Sequence, residues 1–368
     1  MKKMLYLSHV PWGWIKQRPH FLAEKLSNRM DVSIYSCESI RKIFSNNTLS
    51  NDSKNIKKFY TPLVSANFNL NKLGELLYSY LFKIQIKDIE SYSHIWIGST
   101  LMYRLIKPFL RPSQVLIYDC MDDDYEFPLY QTKPKLMKYI KSLEKSLMDR
   151  ANFVFFSSEH LKNTVISRTN ANIEKCNVIN NALEPPVQND DRSAETHDLI
   201  SKIKPLSNKI MYIGMIAEWF DFSSMLQVLE DDKEINLILV GPTEVDIPSH
   251  NRIHYLGKVD RALIFPLMSE TDALIMPFVV NDLIKSVNPV KLYEYIYGDK
   301  PIIVPKYEEV KKFLPYINIY DNYNELSQLC RKVREGKLPS PSSFKGYKEF
   351  VNENTWQGRA DIILKKLL

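Results

Sequence analysis

A lysine and a glutamate three residues apart, Lys291 and Glu294, lie in the stretch VNPVKLYEYIYGDKP, which predicts a short helix that binds an anion. Asn288 is a favourable N-cap, and Pro289 suits the first helical position because its missing N–H is not needed there. A helix N-terminus attracts phosphate, and Lys291 adds a full positive charge. Glu294 lies on the same face and can accept hydrogen bonds from hydroxyls such as those of a ribose. The alternative is a surface helix with a solvated ion pair.

An acidic turn follows the predicted strand Val115–Tyr118 in the segment IYDCMDDDYEF. Its acidic residues are Asp119, Asp122, Asp123 and Asp124. Neighbouring carboxylates repel one another and raise one another's pKa, and a raised pKa is what a general base uses. The turn therefore predicts a general base, with Asp122 and Asp119 as the catalytic candidates, and it contains no histidine that would complete a metal site. The alternative is that Asp122 and Asp123 cap the following helix.

Aromatic and polar side chains crowd the turn between the first predicted strand, Met4–Ser8, and the helix after it. They are Trp12, Trp14, Gln17 and Arg18. Open parallel sheets bind ligands beyond the carboxyl ends of their strands, so this turn is expected to face a ligand. The tryptophans can stack on a sugar, and Arg18 can hold a phosphate or a carboxylate. The alternative is that the tryptophans are core residues and Arg18 forms a structural ion pair.

A second series of predicted strands begins after residues 185–208, a segment rich in proline and acidic residues that is typical of a linker. The strands and the glycines that end them are Lys209–Ile213 with Gly214, Asn236–Val240 with Gly241, and Arg252–Leu256 with Gly257. Glycine at these places lets the backbone approach a ligand closely. Neither G-x-G-x-x-G nor G-x-x-x-x-G-K-[ST] occurs, which argues against a nicotinamide dehydrogenase.

The composition of the chain limits the classes of protein to which it can belong. The chain has 368 residues, of which 45% are hydrophobic, enough for two domains. The formal net charge of +6 is spread without a long basic run, which argues against nucleic-acid binding. The four cysteines lie far apart, as expected in a reducing compartment. The N-terminal apolar run is too short for a signal peptide, and no window approaches a spanning helix. These features predict a cytoplasmic protein.

The stretch Lys72–Tyr92 predicts an amphipathic helix rich in leucine, tyrosine and lysine. Helices of this composition lie on anionic membrane surfaces, so peripheral contact with the inner membrane surface is one interpretation. The alternative is an ordinary helix packed on the sheet.

Five segments resemble, in chain order, those of bacterial GT-B glycosyltransferases: WGWIKQRPHFLAEKL, IYDCMDD, GMIAEWFDF, LVGP and NPVKLYEYIYGDKP. The chain is most similar to family 4-like enzymes of the teichuronic-acid type, with a weaker likeness to the xanthan glucuronosyltransferase type. The resemblance covers nearly the whole chain. It implies an α/β, GT-B fold, with two Rossmann-like domains whose parallel sheets face a cleft. Residues 1–184 would bind the acceptor and 209–350 the nucleotide sugar, with 185–208 as linker and 351–368 as a helix returning to the first domain.

The resemblance also implies roles for individual residues. Lys291, with the N–H groups after Asn288, would hold the pyrophosphate, Glu294 would bind the donor ribose, and Asp122 would be the base. The other residues assigned to the donor are Gly214, Glu218, Trp219, Gly241, Pro242, Gly257, Lys258, Val259, Ser286, Pro289 and Val290. The residues assigned to the acceptor side are Trp12, Trp14, Gln17 and Arg18.

The implied activity is transfer of a sugar from a nucleotide diphosphate sugar, with UDP favoured, to a cell-surface polysaccharide or lipid-linked acceptor. Neither a cofactor nor a metal is expected. This chain departs from many relatives by having Ser286 where they have a glutamate, and by lacking an Arg/Lys pair within Ile216–Phe222. Retention or inversion of the anomeric configuration therefore stays open. Two alternatives are a catalytically silent nucleotide-sugar-binding subunit and a sugar-nucleotide epimerase on the same fold.

Overall fold

The computed structural model describes residues 2–12, 16–39, 56–61, 72–86, 88–126, 131–186 and 194–367. The chain divides into two compact units. The first comprises Met1–Asn181 and Trp356–Leu368, and the second comprises Ala182–Thr355. Each unit is built on a parallel sheet flanked by helices, which confirms the prediction of an α/β fold with two parallel sheets.

The first unit contains a seven-stranded sheet in the order β3-β2-β1-β4-β5-β6-β7. Its strands are β1 (Lys3–Ser8), β2 (Asp31–Ser39), β3 (Ile56–Thr61), β4 (His94–Ile97), β5 (Val115–Cys120), β6 (Phe153–Phe156) and β7 (Cys176–Val178). Its helices are α1 (Arg18–Ser27), α2 (Lys72–Gln85), α3 (Thr100–Ile106), α4 (Pro134–Arg150), α5 (Glu159–Thr169) and the C-terminal helix Trp356–Leu367. The central strands are continuous apolar runs because helices cover both faces of the sheet.

The two faces of the first sheet have separate cores. Alternate residues such as Leu5 and Leu7 pack with α2, α3 and α4 in one apolar cluster. On the other face, Phe21 of α1 stacks on Trp356 of the C-terminal helix, with ring centroids 5.1 Å apart. Successive side chains of a strand alternate between faces. Trp96 of β4 is fully buried because helices cover both faces of the sheet.

The second unit contains a six-stranded sheet in the order β10-β9-β8-β11-β12-β13. Its strands are β8 (Lys209–Ile213), β9 (Asn236–Val240), β10 (Ile253–Tyr255), β11 (Ala273–Ile275), β12 (Ile302–Pro305) and β13 (Asn318–Tyr320). Its helices are α6 (Ala194–Ile203), α7 (Phe222–Asp231), α8 (Ile264–Ser269), α9 (Asp282–Ser286), α10 (Val290–Tyr297), α11 (Tyr323–Arg334) and α12 (Tyr347–Glu353).

Two predicted segments differ from the structure. The linker 185–208 contains helix α6, whose Leu199, Ile200 and Ile203 belong to the core of the second unit, so a proline-rich composition concealed a packed helix. The helix predicted over Lys72–Tyr92 ends at Gln85, and Asp88 then adopts a left-handed conformation with φ 55°. None of the described helices is long and apolar enough to cross a membrane.

Candidate functional site

The second sheet has a switch point between its central strands, β8 and β11. From β8 the chain continues to β9 and β10 on one side, and from β11 it continues to β12 and β13 on the other. The loops that leave these two strands diverge and open a crevice, which is where open α/β sheets bind ligands. Gly214 directly follows β8, and Phe278 lies just beyond the end of β11. Both residues therefore border the crevice.

The three glycines that the sequence places at strand ends lie close to one another at this edge. The N–H of Gly214 donates to the carbonyl of Val240, and the N–H of Gly241 donates to that of Gly257, each at 2.8 Å. Gly214 has a φ of 147° and Gly241 a φ of 132°, conformations that favour glycine. A Cβ on Gly241 would lie 2.1 Å from the carbonyl oxygen of Gly214. The glycines thus allow close backbone packing at the mouth of the crevice.

The side chain of Lys291 extends from the first turn of α10 to Gly214. A Cβ on Gly214 would lie 1.9 Å from Cε of Lys291 and 2.8 Å from its Nζ. The ammonium lies 5.6 Å from the ring centroids of both Tyr212 and Phe278. Within the described part of the chain, Lys291 forms no ion pair with a carboxylate. Burial lowers the pKa of Lys291 from 10.5 to about 8, although Glu294 opposes this effect.

Glu294, on the same helix, is 8% exposed and has a partner that the sequence did not reveal. Nη1 of Arg261 lies 2.7 Å from Oε1 of Glu294. Arg261 belongs to a short 3₁₀ turn, Arg261–Leu263, which Asp260 caps by accepting from the N–H of Ala262 at 2.9 Å. Among the described residues, two cations, Lys291 and Arg261, thus accompany the carboxylate of Glu294 at this edge of the second sheet. The only sequence signal for Arg261 was its position shortly after the Gly257 turn.

The start of α10 differs by one residue from the prediction. The N-cap is Pro289 and the helix begins at Val290, so Asn288 precedes the cap and does not close the helix with its side chain. Asn288 is 1% exposed, and the hydroxyl of Tyr293 donates to its Oδ1 at 3.4 Å. The physical reason is that proline adopts an extended conformation here, with φ −76° and ψ 106°. The first turn of α10 nevertheless carries Lys291, as predicted.

The other residues predicted at the donor side occupy varied positions around this edge. Ser286 ends α9 and is 3% exposed, with its hydroxyl donating to the carbonyl of Asp282 at 3.3 Å. The carbonyl of Pro242 accepts from the N–H of Ile216 at 2.9 Å, and that of Trp219 accepts from Val279 at 2.9 Å. Val259 packs against the core, whereas Glu218 and Lys258 are exposed.

In the first unit, Arg18 and Asp119 form a buried ion pair. Arg18 is 3% exposed and Asp119 is 0% exposed. Nε of Arg18 lies 2.9 Å from Oδ1 of Asp119, and Nη2 lies 2.7 Å from the same oxygen. Nη1 of Arg18 donates to the carbonyl of Ile179 at 2.6 Å. This arrangement supports a structural role: the buried carboxylate of Asp119 is bound by Arg18, and Arg18 is not displayed to an acceptor.

The remaining carboxylates of the acidic turn have different surroundings. Asp123 binds Nη1 of Arg168 at 2.8 Å, and Asp124 accepts from the hydroxyl of Thr100 at 2.7 Å. Asp122 is the exception, since no described residue donates a hydrogen bond to its carboxylate. Burial raises the pKa of Asp122 to about 6, and Asp119 and Asp123 add to the rise while Arg18 opposes it. Among the described residues, no cluster of three or more acidic, histidine or cysteine side chains is arranged to hold a metal ion.

The turn after β1 holds two of the predicted acceptor-side residues. The N–H of Trp12 donates to Oγ of Ser36 at 2.7 Å, and its ring meets that of His20 edge-on at 4.7 Å. Gln17 is the N-cap of α1, and its N–H donates to Nδ1 of His20 at 2.9 Å. Trp14 lies outside the described residues. His20 thus contacts both Trp12 and Gln17.

No family model matches the sequence, but the sequence is similar to that of a known protein. The relative is TuaH of Bacillus subtilis (strain 168), described as a teichuronic acid biosynthesis glycosyltransferase. It is 24% identical over 235 residues, which cover 59% of this chain and 58% of that protein. The chain therefore aligns with just over half the length of this relative.

Solved structures match the chain over nearly its whole length. HepE of Anabaena, in complex with UDP and glucose, has a TM-score of 0.68 and 12% identity, covering 100% of this chain and 99% of HepE. Sucrose-phosphate synthase from Thermosynechococcus elongatus has a TM-score of 0.73 and 11% identity, covering 100% of this chain and 98% of the synthase. Together with the two parallel sheets, these similarities identify the architecture: the chain has the GT-B fold.

Proposed function

We propose that this chain is a glycosyltransferase that moves a sugar from a nucleotide diphosphate sugar, with a UDP-sugar favoured, to a cell-surface polysaccharide or lipid-linked oligosaccharide. The observation that carries the proposal is the ammonium of Lys291, held at the switch point of the second sheet without a carboxylate partner among the described residues. Support comes from HepE, solved with UDP and glucose, and from TuaH, described as a teichuronic acid biosynthesis glycosyltransferase.

The diphosphate would bind between Lys291 and the N-terminal turn of α10. A helix N-terminus presents unpaired N–H groups and partial positive charge to an anion. A bound diphosphate would also supply the negative charge that the partly buried ammonium lacks, which raises its pKa back toward the ordinary value. Gly214 leaves the space through which Lys291 reaches this position.

The ribose would bind at Glu294, and the base would lie along the glycine turns. Arg261 forms an ion pair with Glu294 and so orients its carboxylate for hydroxyl groups. The turns Gly241-Pro242 and Gly257-Lys258-Val259 border this position because they leave neighbouring strands β9 and β10. In this role Arg261 acts through Glu294 and is a positioning residue.

Transfer requires that negative charge on the departing diphosphate be stabilised. Preorganised donors at such positions are worth about 3–4 kcal/mol each. We propose that Lys291 and the α10 N-terminus supply this stabilisation and that no divalent metal is needed. Asp122 would remove the proton from the acceptor hydroxyl, since burial raises its pKa to about 6. Trp12 and Gln17 would lie on the acceptor side, in a cytoplasmic enzyme that touches the inner membrane surface peripherally.

Substitution of Lys291 tests the donor site. We expect Lys291→Ala to abolish turnover of UDP-sugars and to weaken UDP binding, measured by calorimetry and by the rise in thermal midpoint that a bound ligand causes. The matched control is Lys285→Ala. Lys285 is 48% exposed and forms a surface ion pair with Asp282, so its loss should leave both measurements unchanged. Unchanged UDP binding and turnover in folded Lys291→Ala would remove Lys291 from the mechanism.

Product analysis distinguishes this activity from the alternatives. A catalytically silent subunit, suggested by Ser286, would bind UDP but neither transfer nor hydrolyse the donor sugar. An epimerase would convert the donor alone into a second nucleotide sugar. Release of UDP that depends on an added acceptor supports the transferase and excludes both alternatives.

A further inference from the structure

Helix α2 of the first unit exposes a continuous apolar stripe. The exposed fractions are 59% for Leu76, 58% for Leu77, 60% for Tyr80, 40% for Leu81 and 58% for Ile84. These residues recur at helical spacing and therefore share one face. Single exposed apolar residues are ordinary on a protein surface, but a contiguous group of large ones marks an interaction site.

The opposite face of α2 fixes the helix on the fold. Phe82 is 2% exposed and Ile86 is 1% exposed, and the ring of Phe82 meets Phe59 of β3 edge-on at 5.2 Å. The exposed stripe is therefore the second apolar face of a helix whose first face already forms core. Its apolar surface stays exposed to solvent after folding, and burying it against a partner is favourable.

Lysines occupy the same side of the first unit. Helices α2, α3 and α4 contribute to one apolar cluster, so they form one layer on the sheet. The inner face of α4 is buried through residues such as Leu143 and Leu147. Its outward lysines are all exposed: Lys135, Lys138, Lys141 and Lys145. The layer thus combines an apolar helix face with a row of positive charge.

A groove of about 640 Å³ lies between the end of α3 and α4 in this layer. Lys107, Lys145 and Arg150 line it, together with Asp149. Arg150 donates to the carbonyls of Arg111 and Gln114 at 2.8 and 3.0 Å, so its guanidinium is used within the fold. Lys107 and Lys145 are exposed and have no ion pair within the described residues, which leaves two ammonium groups to meet an external anion.

We infer that this layer docks on an anionic lipid bilayer, with the α2 stripe at the headgroup–acyl boundary and the lysines of α4 and Lys107 on lipid phosphates. Apolar burial and attraction of lysines to anionic lipids add in such surface binding. A second copy of the chain is disfavoured as the occupant, because pairing this face with itself would bring two lysine rows together. The inference deepens the proposed function by giving a lipid-linked acceptor a route of approach, but vesicle binding does not depend on donor chemistry.

Vesicle co-sedimentation of the full chain tests the inference. We expect binding to vesicles of equimolar phosphatidylglycerol and phosphatidylcholine at low salt, and weak binding to pure phosphatidylcholine or at high salt. Leu77→Ser/Ile84→Ser should lower the partition coefficient at least about tenfold. Lys138→Glu/Lys145→Glu should lower it by at least about fivefold for each lysine removed.

Matched controls lie on the same unit. Ile173→Ser removes an apolar side chain that is 62% exposed outside the stripe, and Lys366→Glu reverses an exposed lysine on the C-terminal helix. Both should bind vesicles like the unaltered chain. The inference is overturned if the stripe variant, with a normal thermal transition, binds as well as the unaltered chain, or if the stripe mediates dimerisation and no vesicles are bound. UDP binding by the unaltered chain is a separate readout, so its absence would count against the proposed donor site alone.

Discussion

Arg18 and Arg168 of the first unit and Lys291 of the second unit have contrasting partners. In the first unit, Arg18 binds Asp119, and Arg168 binds both Asp123 and Glu144, with its Nη2 2.6 Å from Oε1 of Glu144. In the second unit, the ammonium of Lys291 faces aromatic rings and a glycine. Each arginine therefore completes a charge pair inside the fold, whereas Lys291 does not.

This contrast distinguishes residues that stabilise the fold from residues that are available to bind a ligand. A buried charge without a partner destabilises the folded chain, because desolvation is not offset. The arrangement persists where a bound anion can supply the missing charge, and the position of Lys291 at a sheet switch point fits that explanation. By the same reasoning, Asp122 is the residue of the acidic turn that we expect to act in chemistry, because its carboxylate receives no hydrogen bond from a described residue.

The largest effect is expected when matched apolar substitutions are made at Arg18 and Lys291. Arg18→Met leaves the carboxylate of Asp119 buried and unpaired, and we expect the free energy of unfolding to fall by about 3–5 kcal/mol. Lys291→Met removes a desolvated charge and should leave stability unchanged or raise it. Chemical denaturation measures both. A loss of similar size in Lys291→Met would contradict the contrast between the two units.

The pH dependence provides the control for this comparison. The pKa of Lys291 is about 8 in the folded chain and 10.5 ordinarily. Between these values the unfolded chain binds a proton that the folded chain has lost, so the free energy of unfolding rises with pH. The stability that Lys291→Met gains over the unaltered chain should therefore be full below pH 8 and shrink as pH approaches 10.5.

A double variant provides the control for Arg18. Adding Asp119→Leu to Arg18→Met should restore part of the lost stability, because no unpaired charge then stays buried.

Asp122→Asn is expected to have the next largest effect, on activity alone. Loss of a general base typically costs about 10²–10⁴-fold in rate, while UDP binding and the fold should persist. Asp124→Asn is the matched control, since burial also raises the pKa of Asp124 to about 6 but Thr100 already donates to it. In the unaltered enzyme, kcat/KM should rise with pH through about 6 as Asp122 loses its proton. Equal activity losses in the two variants would remove Asp122 from the role of base.

A smaller effect is expected from Arg261→Gln. Glu294 then loses its ion-pair partner, and we expect UDP binding to weaken about tenfold, in line with loss of one charged hydrogen bond. Arg334→Gln is the control, because Arg334 is likewise 32% exposed and pairs with Asp232 at 3.2 Å. As a positioning residue, Arg261 should affect UDP more than 2′-deoxy-UDP, whose sugar offers Glu294 one hydroxyl fewer. Equal weakening for both nucleotides would assign Arg261 a purely structural role.

Local sequence patterns predicted much of the fold and part of the site. The apolar runs located the strands of both sheets, because strands covered on both faces need continuous hydrophobic sequence. Gly214, Gly241 and Gly257 were recognised as strand ends, and Lys291 and Glu294 as neighbours on one helix, since these relations depend on spacing along the chain. The helix α6 was missed because its polar surroundings resembled a linker, and only packing against the second core defines it.

The amino-acid sequence by itself determined that the chain forms two parallel sheets and that a lysine lies in the first turn of the helix before β12. Only the tertiary structure decided which charges are paired. Arg18 and Asp119 are 101 residues apart, and the partnership of Arg261 with Glu294 likewise crosses several elements. Backbone periodicity is set by neighbours within a few residues, whereas an ion pair forms between side chains that folding brings together. For that reason the sequence predicted Asp119 and Arg18 as site residues, whereas the structure shows that they form a buried ion pair with each other.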